Sequence, residues 1–372
     1  MKKITILIIL FITLAGFSFG QTSDDPLFAP VLPEIIGQGG AFTANAHGYG
    51  SLVTNPAGFS MKGGSFTLLS ANIGPYFLPT EQAMTGVEAF MDGRPEDGIT
   101  ALSDIITTNG VGANMNAGIG LVGKGLGIGL IVDGDIYGAG KTAFGSAFDG
   151  AVTATGIAGL SFKFGTDNLG LSIGGDIRLM HRIKMEDIAV VDLLADNPSF
   201  NVYTGNAIGL DLGAIFQLRS LSFGLSVRDL GGTQFMYLEQ NIDDSSFDPM
   251  AAGDITAYKI PMQVTAGVSY HPDFGALKLF LDPVFSFDYQ KVFYAEDENK
   301  TSFWTGVHAG TEVKVLRFMK VRAGINQGYV TAGVGAKLLF LDVNASYFTR
   351  EMGRFAGSRP NSGFTVEAAV RF

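Results

Sequence analysis

Gly118-Ile-Gly-Leu-Val-Gly-Lys124 has residue types and spacing that could cradle a phosphate, because it satisfies both a GxGxxG pattern and the first seven positions of a P-loop. The chemistry fails at the next residue. A P-loop requires Ser or Thr after the lysine to meet Mg²⁺, and this chain has Gly125 there. Both motifs also need a helix to follow, whereas Leu126-Gly-Ile-Gly-Leu130 alternates like a strand. The four histidines, His47, His181, His271 and His308, have no metal-ligand spacing, and none is set against a Ser or Asp motif that suggests hydrolysis. His308 and Glu312 fall on one strand face and read as a hydrogen-bonded structural pair. Glu296-Asp297-Glu298 reads as a solvated acidic loop. There is no cysteine, which excludes disulfides, thiolate metal sites and a cysteine-linked lipid. The expectation is a chain with no catalytic residues, no metal, no cofactor and no enzyme activity.

The elements that would carry such residues are strands. Phe364-Thr-Val-Glu-Ala-Ala-Val-Arg-Phe372 places Phe364, Val366, Ala368, Val370 and Phe372 on one face and Thr365, Glu367 and Arg371 on the other. A closing strand of this kind with a terminal aromatic resembles the signal that barrel-insertion machinery reads on outer-membrane barrels, with Phe364 and Phe372 as its aromatic residues. At the other end, Lys2-Lys3, the apolar run from Ile4 to Phe19 and the small residues Ser18 and Gly20 read as a cleaved secretory signal over residues 1–20. Hydrophobic residues make up 47% of the chain and mean hydropathy is +0.27, yet beyond residue 20 no stretch approaches a transmembrane helix. Apolar content dispersed at period two is how a membrane barrel is written.

Fourteen segments alternate well enough to be strands: Ser65 to Ile73, Ala113 to Val122, Gly125 to Asp133, Ala151 to Phe164, Leu169 to Met180, Ala207 to Gln217 and Ser220 to Val227, then Met262 to Tyr270, Ala276 to Tyr289, Ser302 to Val315, Met319 to Ile325, Tyr329 to Lys337, Leu341 to Phe348 and Phe364 to Phe372. Short links alternate with long loops, as a barrel with tight turns at one end requires. Asn326-Gln327-Gly328 is the short exception on the long-loop side. The fold class is therefore all-β, a transmembrane antiparallel β-barrel of about 14 strands over residues 65–372.

Within the long loops, Thr80 to Asp92 and Glu96 to Thr108 have helix-compatible spacing, and Ile188 to Leu194 suits a short apolar helix. Inward charges of both signs, Asp176, Arg178, Asp211, Arg228, Lys278, Asp282 and Glu312, point to salt-bridged packing instead of an ion-selective ring, which needs one sign. A net charge of −10 makes nucleic acid an unsuitable partner.

Residues 21–64 are too apolar for a leader and too weakly patterned for strands. They contain Gly37-Gln-Gly-Gly-Ala-Phe42 and Asn55-Pro56-Ala57-Gly58. These motifs resemble the amino-terminal hatch of the FadL family of outer-membrane transporters for long-chain fatty acids and other hydrophobic compounds. The resemblance implies a hatch over 21–64 that plugs a fourteen-stranded barrel, a location in the bacterial outer membrane, and outer-membrane lipid, a hydrophobic small-molecule ligand and the barrel-assembly machinery as partners. Ile131, Met180, Ile215, Phe280, Val284, Trp304 and Phe348 are apolar at inward positions and are the expected lumen contacts for such a ligand. They could equally pack against the hatch. Phe235, Met236 and Tyr237 offer an outer-loop contact. The lateral exit of that family depends on a kinked third strand, for which Asp133-Gly134-Asp135 is the candidate. Barrels with the same hatch motif also serve protein secretion systems, which is the alternative function.

Overall fold

The computed structural model describes residues 23–24, 31–92, 103, 105–142, 145–189, 200–242, 255–295 and 300–372. The expected signal at 1–20 and the acidic run at 296–298 lie outside these, as does most of the segment 188–194 expected to be helical. The strands in chain order are β1 (Ser23–Asp24), β2 (Ser65–Phe77), β3 (Val111–Gly123), β4 (Leu126–Gly140), β5 (Ser146–Gly165) and β6 (Leu169–Ala189). There follow β7 (Phe200–Leu218), β8 (Leu221–Arg228), β9 (Thr233–Ile242), β10 (Ile255–Ile260), β11 (Met262–Tyr270) and β12 (Leu281–Phe293). The last five are β13 (Val307–Val315), β14 (Met319–Asn326), β15 (Tyr329–Leu338), β16 (Leu341–Glu351) and β17 (Pro360–Arg371).

Strands β2 to β8 pair in succession, β8 pairs with β11, β11 to β17 pair in succession, and β17 pairs back onto β2. That circuit is a closed antiparallel barrel of fourteen strands. Closure leaves the wall no free edge. Period-two alternation sets its two faces. On β6, Leu171, Ile173, Ile177 and Leu179 are exposed outside, while Ser172, Asp176 and Arg178 are buried inside. On β17, Phe364 and Val366 face out and Thr365, Glu367 and Arg371 face in. Turns at one end are tight: Lys124 and Gly125 take φ 54° and 86°, the left-handed pair that suits a two-residue hairpin between right-twisted strands. Strand β6 has 21 residues, about twice the ~9–11 that cross a bilayer core, so its outer half rises above the membrane.

Three features depart from the sequence expectation. β12 starts at Leu281, because residues Gly275–Leu279 form a 3-10 turn, and β13 starts at Val307 after another 3-10 turn, Phe303–Gly306. Apolar alternation ran through both turns without marking where the ladder begins. Second, the segment expected as a loop after β8 contains the β9–β10 hairpin. β9 pairs with the outer part of β7 from Phe200 to Asn206, and β1 adds in parallel to β10. Third, β4 passes through Asp133-Gly134-Asp135 with an unbroken ladder to both neighbours, so no kink falls there. The expected helix in 80–92 is present as Glu81–Met91.

Residues 31–64 fill the inside of the ring. They contain a helical turn, Pro33–Ile36, and three 3-10 segments, Thr43–Asn45, Gly48–Val53 and Pro56–Ser60. Leu32, Phe42, Tyr49, Leu52 and Phe59 are buried together against wall residues that include Ile131, Ile157 and Ile215. The wall meets this plug with glycines. A Cβ at Gly224 would lie 2.6 Å from Ala44 Cα, one at Gly324 2.5 Å from Gly39 N, one at Gly174 2.5 Å from Pro56 O and one at Gly127 2.6 Å from Phe59 Cζ. Side chains at those inward positions would exclude the plug, which accounts for part of the 51 glycines in the sequence.

Candidate functional site

Asn55 fastens the plug from its centre. Its extended backbone (φ −144°) precedes Pro56, whose fixed φ suits the first helical position. The Asn55 Oδ1 accepts from Ala57 N at 3.1 Å, capping the turn Pro56–Ser60. Its Nδ2 faces Thr43 O at 3.0 Å and the wall carbonyls of Leu225 at 3.3 Å and Ala214 at 3.4 Å. Gly58 has no room for a Cβ, which would sit 2.7 Å from both Ala46 O and Ser51 Cβ. The Asn55-Pro56-Ala57-Gly58 motif is thus a buried joint between two turns of the plug and strands β7 and β8.

Wall side chains hold the rest of the plug by its backbone. Asp288 Oδ2 accepts from Phe42 N at 2.9 Å and Thr43 N at 2.8 Å. Ser346 Oγ donates to Pro33 O at 2.6 Å, Ser226 Oγ to Thr54 O at 2.7 Å and Ser161 Oγ to Ala57 O at 3.1 Å. Inward charges are paired across the wall. Arg178 contacts Asp211 and Asp229 at 2.7 Å each, Arg228 contacts Asp211 at 3.3 Å, Arg322 contacts Glu312 at 2.8 Å, and Arg371 contacts Glu367 at 2.9 Å and Asp342 at 3.0 Å. His308 faces inward as expected but bonds Asn326 Oδ1 at 2.7 Å and Gly39 O at 3.2 Å, leaving Glu312 to Arg322. Lys278 belongs to the inner turn, where it meets Asp273 at 3.3 Å, and Asp282, the second residue of β12, meets His271 at 2.6 Å.

Toward the outer end the inward face becomes aromatic. Met180, Ala207, Phe235, Tyr237 and Ile260 are buried together, with Tyr203 and Tyr258 packed against them. Phe235 and Tyr237 stack at 5.3 Å between ring centres, Arg182 lies 4.8 Å over Phe235, and Lys184 Nζ lies 3.6 Å over Tyr258. This basket stands where the wall between β7 and β8 gives way to β9. Asp229, Gly231 and Gly232 take positive φ there, and Leu230 N donates to Leu210 O at 2.9 Å.

The expected lumen contacts divide into three groups. Ile131 and Ile215 pack in the plug core, and Met180 belongs to the aromatic basket. Val284 and Phe348 are buried and inward, Phe348 beside Tyr76 at 6.4 Å. Phe280 and Trp304 are misplaced by the reading of parity: they end or occupy 3-10 turns, not strands, and are 58% and 62% exposed. Of the outer-loop candidates, Phe235 and Tyr237 point inward from β9, whereas Met236, between them, is exposed. Tyr203, Tyr258 and Ile260 were not among the expected lumen contacts, although Phe235, Tyr237 and Glu239 already alternate with Met236 and Leu238 in the sequence. At the inner edge Phe372 stacks between Phe66 (6.2 Å) and Phe340 (5.9 Å), and Phe364 packs on Tyr347 at 5.2 Å. Among the described residues no group of three or more His, Asp or Glu is placed to hold a metal ion.

Comparison with known proteins places this architecture. A family model described as "F plasmid transfer operon, TraF, protein" matches residues 100–282, just under half of the chain. No curated protein matches in sequence. Among solved structures, a mutant of the TodX monoaromatic hydrocarbon channel aligns over 92% of this chain and 98% of its own with a TM-score of 0.52 and 13% identity. The Ralstonia pickettii toluene transporter TbuX aligns over 92% and 98% at TM-score 0.49 and 14% identity, and a Pseudomonas aeruginosa FadL homologue over 95% and 99% at 0.49 and 10%. The chain has the FadL-like fold, a fourteen-stranded barrel that holds its own amino-terminal segment.

Proposed function

We propose that this chain is an outer-membrane diffusion channel, exported by a signal cleaved after residue 20, that passively carries hydrophobic small molecules such as long-chain fatty acids inward. Its partners are then outer-membrane lipid outside the wall, the apolar ligand within, and the barrel-assembly machinery that reads Phe364 and Phe372. The observation that carries the reading is the basket of Met180, Phe235, Tyr237 and Ile260, an apolar inward surface at the outer end of a lumen whose inner half is packed with plug. Arg182 and Lys184 lie stacked on these rings instead of projecting into an open pore, and an apolar lining lowers the barrier that headgroups raise against a lipophilic solute. The fold shared with a hydrocarbon channel supports the same reading.

The test is mass spectrometry of an organic extract of the purified protein, together with uptake of labelled fatty acid by cells making the wild type or Phe235→Ala/Tyr237→Ala. Bound long-chain compounds and uptake that falls in the variant are expected. A clean extract with large ion conductance in planar bilayers overturns the reading. The match to a family named for a plasmid transfer operon favours a second reading, a barrel that serves a macromolecular export system. Co-purification of exported protein with the wild type, and unchanged fatty-acid uptake in the variant, would favour it.

A further inference from the structure

Above the plug, on strands β2 to β4 and ending two strands short of Arg182 of the basket, the inward face carries a row of amides. Asn72 on β2 sits directly across from Asn116 on β3, and Asn116 sits across from Asp133 on β4. Asn114, one inward position further out, leans over Gly74: a Cβ at Gly74 would lie 3.0 Å from Asn114 Oδ1 and 2.9 Å from Thr365 Cβ of β17. Thr155 of β5 is opposite Ile131, and Ile131 is opposite Gly118. The plug supplies the floor, since the Tyr49 hydroxyl rests against Gly118.

Asn72, Asn114, Asn116, Thr155, Thr365 and Tyr49 are each 6% exposed or less. Even so, both amide atoms of all three asparagines, Asp133 Oδ1, and the hydroxyls of Thr155, Thr365 and Tyr49 have no hydrogen-bond partner. Other asparagines of the lumen are engaged, Asn55 on the plug, Asn344 on Glu367 and Asp342, Asn326 on His308, and the open atoms elsewhere, such as Thr311 Oγ1 and Asn361 Oδ1, lie outside this row. Buried polar atoms are almost always paired, and a contiguous set left open calls for a guest that brings both donors and acceptors.

We propose that this row is a polar subsite that binds the hydroxyl or amide end of a small neutral amphiphile, whose apolar body lies against Ile131, Phe348 and Tyr76. This rests on the channel reading above and narrows its substrate class. A hydrocarbon brings no partner for these atoms. A carboxylate brings acceptors only, whereas Asp133 presents an open oxygen that needs a donor, and the neighbouring cations are already engaged, Arg182 on Thr153 at 2.9 Å and Arg350 on Asp135 at 2.6 Å. A hydroxyl brings one donor and two acceptors, which suits an amide row that offers both.

The probes are toluene, benzyl alcohol and benzoate, titrated calorimetrically into the full-length protein in lipid nanodiscs against empty nanodiscs. The wild type is expected to bind benzyl alcohol roughly tenfold more tightly than toluene, with benzoate weaker than benzyl alcohol. Asn72→Leu/Asn116→Leu, which breaks no hydrogen bond present in the structure, should erase that advantage and leave toluene binding unchanged. Thr365→Val should reduce it in the same direction and serves if the double variant loses its heat-dependent gel shift. Toluene bound with no preference for the alcohol, or a preference that survives both variants, overturns the subsite and leaves the channel reading standing. Binding of none of the three overturns the subsite, and the lipid extract then decides the channel reading by itself.

Discussion

Replacing Asn55 by alanine should release the plug without opening the barrel. The substitution removes the cap on Ala57 N, worth about 0.5–2 kcal/mol by analogy with other asparagine caps. It also strips the Nδ2 donor from Thr43 O, a buried carbonyl with Asn55 at 3.0 Å, and such an orphaned group costs about 1–3 kcal/mol. The two wall bonds at 3.3 and 3.4 Å are long and add little to the sum. Together the loss is roughly 2–4 kcal/mol, taken from the local opening of the plug and not from the barrel ladder. At about 1.4 kcal/mol per factor of ten, the open population should rise about 30- to 700-fold.

Amide hydrogen exchange in micelles reads this directly. Protection at residues 43–61 should fall by that factor in Asn55→Ala, while amides in β3–β4 and β16–β17 keep theirs. Channel activity in planar bilayers should change in parallel, from closed to flickering openings. If plug protection falls less than about fivefold, or if wall and plug lose protection together, the plug is not an independently opening unit hinged on Asn55, and the reasoning fails.

Gly224→Ala should produce plug release by a steric route, because the new Cβ would meet Ala44 Cα and Thr43 O at 2.6 Å. Gly156→Ala is its control, since the nearest atom is Leu179 O at 4.0 Å; raised conductance in both, or in neither, would refute the glycine account. At the inner end, Lys163 and then Lys62 hold the exposed Asp167 carboxyl down to about 2, linking the turn between β5 and β6 to the end of the plug. A carboxyl lowered by folding stabilises the folded state above its unfolded value near 3.8, and loses that stabilisation as pH falls toward 2. Proteolysis after Lys62 should therefore quicken between pH 4 and pH 2 in wild type by an acid-active protease, and Asp167→Asn should be equally susceptible across that window.

Much of the wall was readable because a pleat turns burial into alternation. Leu221, Phe223 and Leu225 out, with Ser222, Gly224 and Ser226 in, can be read without coordinates, and the strand count followed from it. The signal failed where alternation outlasts the ladder. Leu277 and Leu279 continue the period of Leu281 and Phe285 yet lie in an exposed turn, since nothing in side-chain hydrophobicity records which backbone groups are bonded. The same blindness moved Phe280 and Trp304 inside. The β9–β10 hairpin was hidden for a different reason: its strands pair above the membrane, where Met236 and Lys259 need no lipid-facing pattern. The unpaired amides were invisible for a third, because Asn72, Asn114 and Asn116 read as ordinary polar inward residues until their partners are looked for.

Plug and wall divide the packing between them in a way that explains why residues 31–64 carried so little pattern. A strand face that must accept a foreign backbone at van der Waals distance can offer no side chain there, so the wall gives glycine and the plug gives Phe42, Tyr49, Leu52 and Phe59. The plug needs no period, because its partners surround it on every side and no single face is solvent-exposed. Its specificity instead comes from backbone groups met by Asp288, Ser346, Ser226 and Ser161, each an inward residue of a separate strand. Four strands thus read the plug through main-chain atoms that any sequence possesses. The residues that must be of one kind are therefore the glycines that admit it and Asn55, whose amide joins two of its turns to the wall at once.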